Sequence, residues 1–163
     1  MKIVMDSDCL VKLVKAGGKE VVAEAMEVHI PKLVRKETVD DVRERGFPDA
    51  LVIEENIDKK MLQVIESQSR KRITALPAAK GETEVVSLFL DGGYDAIASD
   101  DRRFLRKLGS ADIPFLTPTA CLVYACEQGK TGKDDTLRIL ENLKSLISGE
   151  EYAVAKIYLE EIS

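Results

Sequence analysis

Pairs of acidic residues stand where two short apolar runs end. Asp6 and Asp8 follow the run at residues 2–5, and Asp100 and Asp101 follow a later run at residues 95–99. Both runs have the character of buried parallel strands. Because open parallel sheets bind ligands outside the carboxyl ends of their strands, we expect both acidic pairs at the same edge of one sheet.

Three glutamates are predicted to join the aspartates at that edge. Glu82 and Glu84 fall in the first turn of a predicted helix, and Glu37 lies about two turns into a helix that follows Pro31. Carboxylates converging in one cleft repel one another strongly, and a hard divalent cation is the simplest reason to keep them together. Such a cation beside a substrate phosphate predicts metal-assisted hydrolysis of phosphodiester bonds.

The elements that must position these acids alternate between strand and helix. Strands are predicted at residues 2–5, 27–30, 61–65 (at an edge), 95–99 and 113–116, with helical patterns between them and two further helices at residues 134–147 and 150–162. This alternation predicts an α/β fold, a three-layer α/β/α sandwich with a mainly parallel central sheet. We expect a domain over residues 1–128 and a helical extension over 129–163, packed on that domain or at a dimer interface.

Composition narrows the class of protein. The 163 residues are 45% hydrophobic and 33% charged, which is typical of one globular unit. The formal net charge of −5 argues against binding nucleic acid by bulk positive charge, but it permits an acidic site beside a local basic patch. The single histidine, His29, excludes a His-rich zinc site. Three cysteines without close pairing, and no apolar run near ~20 residues, favour a cytoplasmic protein without a membrane segment.

Four motifs, in this order, resemble those of the PIN-domain nucleases, which include VapC-like toxins and PilT N-terminus-like ribonucleases. They are a strand IVMD that opens D-S-D-C-L, then I-P-K-L-V-R-K-E, G-E-T-E-V-V-S-L, and S-D-D-R-R-F, which is similar to the family's T-x-D-x-x-F. The resemblance covers about the first 125 residues. Serine stands in the usual threonine position of the last motif, and glutamate in the usual aspartate position of the third.

The resemblance implies an endoribonuclease that uses Mg²⁺ or Mn²⁺ and leaves a 5′-phosphate. The implied catalytic metal ligands are Asp6, Glu37, Glu82 and Asp101, with Asp8, Glu84 and Asp100 as further metal-site acids and Ser99 as a supporting hydrogen-bond donor. The register leaves Glu84 open in place of Glu82, and Asp100 in place of Asp101. Residues expected to hold RNA phosphates are Arg102, Arg103, Arg106 and Lys107 after the last acid, and Arg70, Lys71 and Arg72 before the third.

Other interpretations and partners stay open at this point. A haloacid-dehalogenase-like phosphatase also begins with a strand and D-x-D, but it favours Thr or Val where Leu10 stands. A PIN module that binds RNA or protein without catalysis is a second alternative. Asp6 and Asp101 also suit plain helix caps. Apolar stripes on the final helices are consistent with a homodimer, and the resemblance to VapC-like toxins makes an antitoxin a possible partner.

Overall fold

The computed structural model describes residues 1–40, 53–55, 57, 61–67 and 80–162, and a parallel sheet lies at its centre. Its described strands are β1 (Lys2–Met5), β2 (Glu27–Pro31), β3 (Leu62–Ile65), β4 (Ala96–Ala98) and β5 (Phe115–Leu116). They lie in the order β3-β2-β1-β4-β5, and every pair is parallel. The predicted sheet is confirmed, including β3 at an edge, and the carboxyl ends of the strands share one side.

Helices cover both faces of this sheet. The described helices are α1 (Ser7–Ala16), α2 (Lys19–Ala25), α3 (Lys32–Arg35), α4 (Lys80–Leu90), α5 (Arg102–Ser110), α6 (Pro118–Glu127), α7 (Lys133–Leu143) and α8 (Gly149–Glu161). The central strand β1 is apolar from Ile3 to Met5 because it has helices on either side: Ile3 and Val4 are fully buried. The predicted α/β/α sandwich is therefore confirmed.

The helix that follows Pro31 differs from its prediction. We expected one helix up to Gly46, but the α-helical part ends at Arg35 and continues as a π-helix over Lys36–Asp40. The Thr38 hydroxyl donates to the Val34 carbonyl at 2.7 Å, and such bonds from a threonine to the preceding turn distort helices. Residues 41–46 lie outside the described residues, and so does Pro48, where the sequence pattern predicts that a further amphipathic segment begins.

The two C-terminal helices pack against α1 and α6 around a second apolar cluster. Leu143 and Leu159 are fully buried there, together with Leu122 of α6. The turn before α2 approaches α7 closely, since a Cβ atom on Gly18 would lie 2.9 Å from Cγ2 of Ile139. Helix α7 ends at Leu143, four residues before its predicted end. Among the described residues, no helix has the length and apolarity needed to span a membrane.

Candidate active site

The ends of β1 and β4 meet through Asp6 and Ser99. The backbone amide of Asp6 donates to the Ala98 carbonyl at 3.0 Å, which extends the strand pairing to this edge. The buried Ser99 hydroxyl donates to Oδ2 of Asp6, and its oxygen accepts a bond of 3.2 Å from the Asp101 amide. One serine therefore joins the first acidic motif to the last.

Asp6 and Asp101 both cap helices, as the plain structural interpretation predicts. Asp6 caps α1, its Oδ1 accepting from the Cys9 amide at 2.9 Å. Asp101 caps α5, and its Oδ1 accepts from the amides of Arg103 and Phe104 at 2.8 and 3.0 Å. Because each cap uses one oxygen of its carboxylate, capping and cation binding are compatible.

The two carboxylates have opposite electrostatic environments. Burial raises the pKa of Asp6 to about 7, and the nearby charge of Asp101 adds to the rise. The hydrogen bonds from Ser99 and Cys9 act in the opposite direction and lower this pKa. For Asp101, the bond from the Phe104 amide and the other cap bond lower the pKa, with a contribution from Lys107. Asp101 is therefore held ionised, while Asp6 carries an unfavourable charge at neutral pH.

Asp6, Ser99 and Asp101 lie at an edge of the sheet that we call the rim. The third and second acidic motifs approach this rim from α4 and from the π-helix. Oε2 of Glu82, in the first turn of α4, accepts from Nζ of Lys107 at 2.9 Å. The exposed Glu37 carboxylate lies over Gly81: a Cβ atom there would be 3.6 and 3.7 Å from its two oxygens. Contacts thus run from Glu37 past Gly81 to Glu82, then through Lys107 towards Asp101.

The remaining acids of the motifs are engaged by groups of the protein. Lys12 pairs with Asp8 at 2.9 Å and also with Asp100. Oε2 of Glu84 accepts from the Leu33 amide at 3.3 Å, which satisfies a donor in the first turn of α3. Asp8 and Asp100 are therefore paired with a lysine, and Glu84 accepts from a backbone amide.

Sequence reasoning missed one acid of the rim, Glu151 of α8. The Thr119 hydroxyl donates to Oε1 of Glu151 at 2.7 Å. Burial raises the pKa of Asp100 to about 6; its bond with Lys12 opposes the rise, and the nearby Glu151 carboxylate adds to it. An acid in the first turn of a helix is common, so the sequence offered no signal that Glu151 would reach this site.

The predicted RNA-contacting residues divide into two groups. Arg102, Arg103 and Arg106 are exposed on α5 beside Asp101, and Lys107 is partly exposed with its charge directed to Glu82. The second predicted group, residues 70–72, lies outside the described residues. Those of the predicted RNA-contacting residues that the structure describes therefore all lie on α5, the helix that Asp101 caps.

The donors at the rim suit Mg²⁺ or Mn²⁺, which take carboxylate oxygens. Asp6 is the clearest observation in favour, because no lysine or arginine in the described part of the chain pairs with this largely desolvated carboxylate. In the same residues, no three His, Cys, Asp or Glu side chains are grouped closely enough to hold a metal ion. Protein donors hold several of the acids instead, notably Lys107 on Glu82 and Lys12 on Asp100.

The protein is an α/β/α sandwich with a parallel sheet and an acidic rim. The acids of the rim follow β1 and β4 and stand at the start of α4. A family model described as a PIN domain matches residues 2–156, which include all of α7 and part of α8. The chain belongs to the PIN-domain family, whose members are generally nucleases. Comparison with curated proteins and with solved structures finds no match. The domain boundary at residue 128 stays a prediction.

Proposed function

We propose that this protein is an endoribonuclease that hydrolyses RNA phosphodiester bonds with Mg²⁺ or Mn²⁺. The observation that carries the proposal is the series of contacts at the rim. Ser99 joins Asp6 to Asp101 by hydrogen bonds. Lys107, whose charge acts on Asp101, pairs with Glu82, and the Glu37 carboxylate lies over the neighbouring Gly81. Acids from four separate segments are thus linked along one edge of the sheet.

Each acid has a distinct part in the proposal. Asp6 and Asp101 are the primary metal ligands, and Ser99 orients both of them. Glu82 and Glu37 complete the oxygen donors from the opposite side of the rim. A divalent ion supplies a nucleophile at neutral pH by lowering the pKa of water, and it offsets negative charge that develops on phosphate. The capped, ionised carboxylate of Asp101 is the better first ligand because binding there displaces no proton.

Positive charge on α5 favours RNA as the substrate. Arg102, Arg103 and Arg106 are exposed within two turns of Asp101, where they can bind backbone phosphates on either side of the scissile bond. The chain as a whole is acidic, with a net charge of −5. RNA binding should therefore be local and should weaken steeply as salt rises.

Two other functions were open from the sequence. Membership of the PIN-domain family argues against a phosphatase, because the match over residues 2–156 includes the D-S-D-C-L segment that suggested one. A PIN module that binds RNA without cleaving it remains a distinct outcome of the experiment below. The cap and ion-pair contacts of Asp6 and Glu82 would be kept in such a module.

The test is cleavage of an internally labelled RNA in Mn²⁺ and in EDTA. Asp6→Asn and Asp101→Asn are each expected to lower the rate by about a hundredfold or more, with an unchanged circular dichroism spectrum. The exposed Asp134 of α7 provides the control, and Asp134→Asn should cleave like the wild type. Cleavage that persists in EDTA, or in both site variants, would contradict the proposal. Tight RNA binding by a wild type that never cleaves would favour the inactive module.

We also propose a homodimer, supported by an apolar face on α8. Val154, Ile157 and Tyr158 are 64%, 57% and 47% exposed, although they stand on one side of a helix whose other side is buried. Light scattering on the wild type and on Ile157→Asp tests this: the variant should be monomeric at concentrations where the wild type is dimeric. A cytoplasmic location and an antitoxin partner stay predictions.

A further inference from the structure

Lys107 pairs with one of the proposed metal ligands and acts electrostatically on a second. Its Nζ lies 2.9 Å from Oε2 of Glu82, and its charge acts on Asp101 as well. The lysine belongs to α5, whose first turn Asp101 caps, whereas Glu82 belongs to α4. One ammonium group therefore links the two helices that present the third and fourth acidic motifs.

We propose that the Lys107 ammonium is a built-in counter-ion that a divalent metal must displace from Glu82. The inference rests on the proposed function, because it concerns the same metal site. It assigns to Lys107 a role in metal affinity, which differs from the phosphate contact expected from its place in a basic run.

The contacts explain why Lys107 can stabilise the acidic rim without a metal and can still be displaced from Glu82 when a metal binds. Glu37, Glu82 and Asp101 are mutually repulsive, and one positive charge beside Glu82 reduces that repulsion. The side chains of Lys107 and Glu82 are 31% and 18% exposed, so water partly screens their ion pair, and breaking it costs less than breaking a fully buried pair. A divalent ion carries twice the charge and binds several carboxylates together, which favours the exchange.

Lys12 provides a useful contrast within the same rim. It pairs with Asp8 and Asp100, the acids that flank the proposed primary ligands, and it is less exposed than Lys107. Asp6 has no such lysine in the described residues. Of the two lysines, only Lys107 therefore contacts a carboxylate to which the proposed function assigns the metal.

The test is Mn²⁺ binding to the full chain, measured by titration calorimetry and by the loss of the free-ion paramagnetic resonance signal. Lys107→Gln should bind Mn²⁺ about fivefold more tightly than the wild type, because the competing charge is gone. Lys107→Arg keeps the charge and should stay within about twofold of the wild type. The control is Lys144→Gln, which removes an exposed lysine that pairs with Glu141 at 3.9 Å on α7; its affinity should be unchanged.

The outcomes separate this inference from the proposed function. If the wild type binds Mn²⁺ and Asp6→Asn abolishes binding, but Lys107→Gln binds no more tightly, the counter-ion role is wrong and the metal site stands. If neither the wild type nor Lys107→Gln binds Mn²⁺, both proposals fall. Thermal melts in EDTA identify any variant that is unfolded. Comparison of Lys107→Arg with Lys107→Gln then shows whether the charge or the shape of the side chain controls the affinity for Mn²⁺.

Discussion

The hydroxyl of Ser99 donates a hydrogen bond to the carboxylate of Asp6, although 93 positions separate them in the chain. The bond exists because β1 and β4 are neighbours and both side chains stand one residue beyond their strands. The same hydroxyl oxygen accepts from the amide of Asp101. A buried serine thus sets the relative positions of the first and last acids of the rim.

Ser99→Ala should weaken Mn²⁺ binding and RNA cleavage by about tenfold, because both carboxylates lose their shared orienting group. Ser99→Thr keeps the hydroxyl and matches the threonine of the motif that this segment resembles, so it should retain most of the activity. Calorimetry and a cleavage assay measure the two effects. Equal loss in the two variants would instead indicate that the fully buried position tolerates no change in volume.

The raised pKa of Asp6 predicts an unusual dependence of stability on pH. Its folded-state pKa of about 7 exceeds the ordinary value of 3.8, so between these values the folded chain binds a proton that the unfolded chain has released. Metal-free protein should therefore lose about 2 kcal/mol of stability as the pH rises from 5 to 8. Denaturant unfolding in EDTA measures this loss.

Asp6→Asn is the control for this pH dependence. The amide cannot ionise, so the variant should lose less stability over the same range and should be the more stable protein at pH 8. Saturating Mn²⁺ should stabilise the wild type at pH 8 but not the variant. A wild type that gains stability between pH 5 and pH 8 in EDTA would contradict the assignment of a desolvated carboxylate.

Glu151 should influence the titration of Asp100 from the far end of the chain. Glu151→Gln removes the negative charge that helps to raise the pKa of Asp100, and the Thr119 hydroxyl can still donate to the amide oxygen. The pKa of Asp100 should therefore fall below its value of about 6, as carboxyl NMR titration can measure. The exposed Glu160 of the same helix provides the control, and Glu160→Gln should leave the titration unchanged.

The apolar cluster under α7 and α8 should contribute strongly to the stability of the whole domain. Leu143→Ala removes a fully buried side chain and should cost about 3 kcal/mol, which lowers the melting temperature by roughly 10 °C. The half-buried Leu137 of the same helix is the matched position, and Leu137→Ala should cost only about 1 kcal/mol. A separate early transition in Leu143→Ala, with the rest intact, would show that residues 129–163 unfold as their own unit.

Much of the sheet and of the rim followed from local patterns. An aspartate follows Met5 directly, and two aspartates follow Ala98 after the intervening Ser99. Parallel strands put these aspartates at one edge of the sheet. The π-helical turn at Lys36–Asp40 did not follow, because a 3.6-residue period and a slightly wider one are indistinguishable over two turns. Glu151 was missed because its contact with Thr119 joins two different helices, α8 and α6, at positions 32 residues apart in the chain.

The sequence alone therefore predicted the strands that precede the acidic residues. It also predicted that the carboxyl ends of those strands lie on the same side of the sheet. Local hydrogen bonding and side-chain periodicity act over a few residues, so their patterns can be recognised in the sequence. Only the tertiary structure decided which donor each carboxylate meets: Ser99 on Asp6, Lys107 on Glu82, Lys12 on Asp100. Those pairings depend on how segments distant in the chain are packed together. The raised pKa values of Asp6 and Asp100 follow from their burial in that packing and from their neighbours.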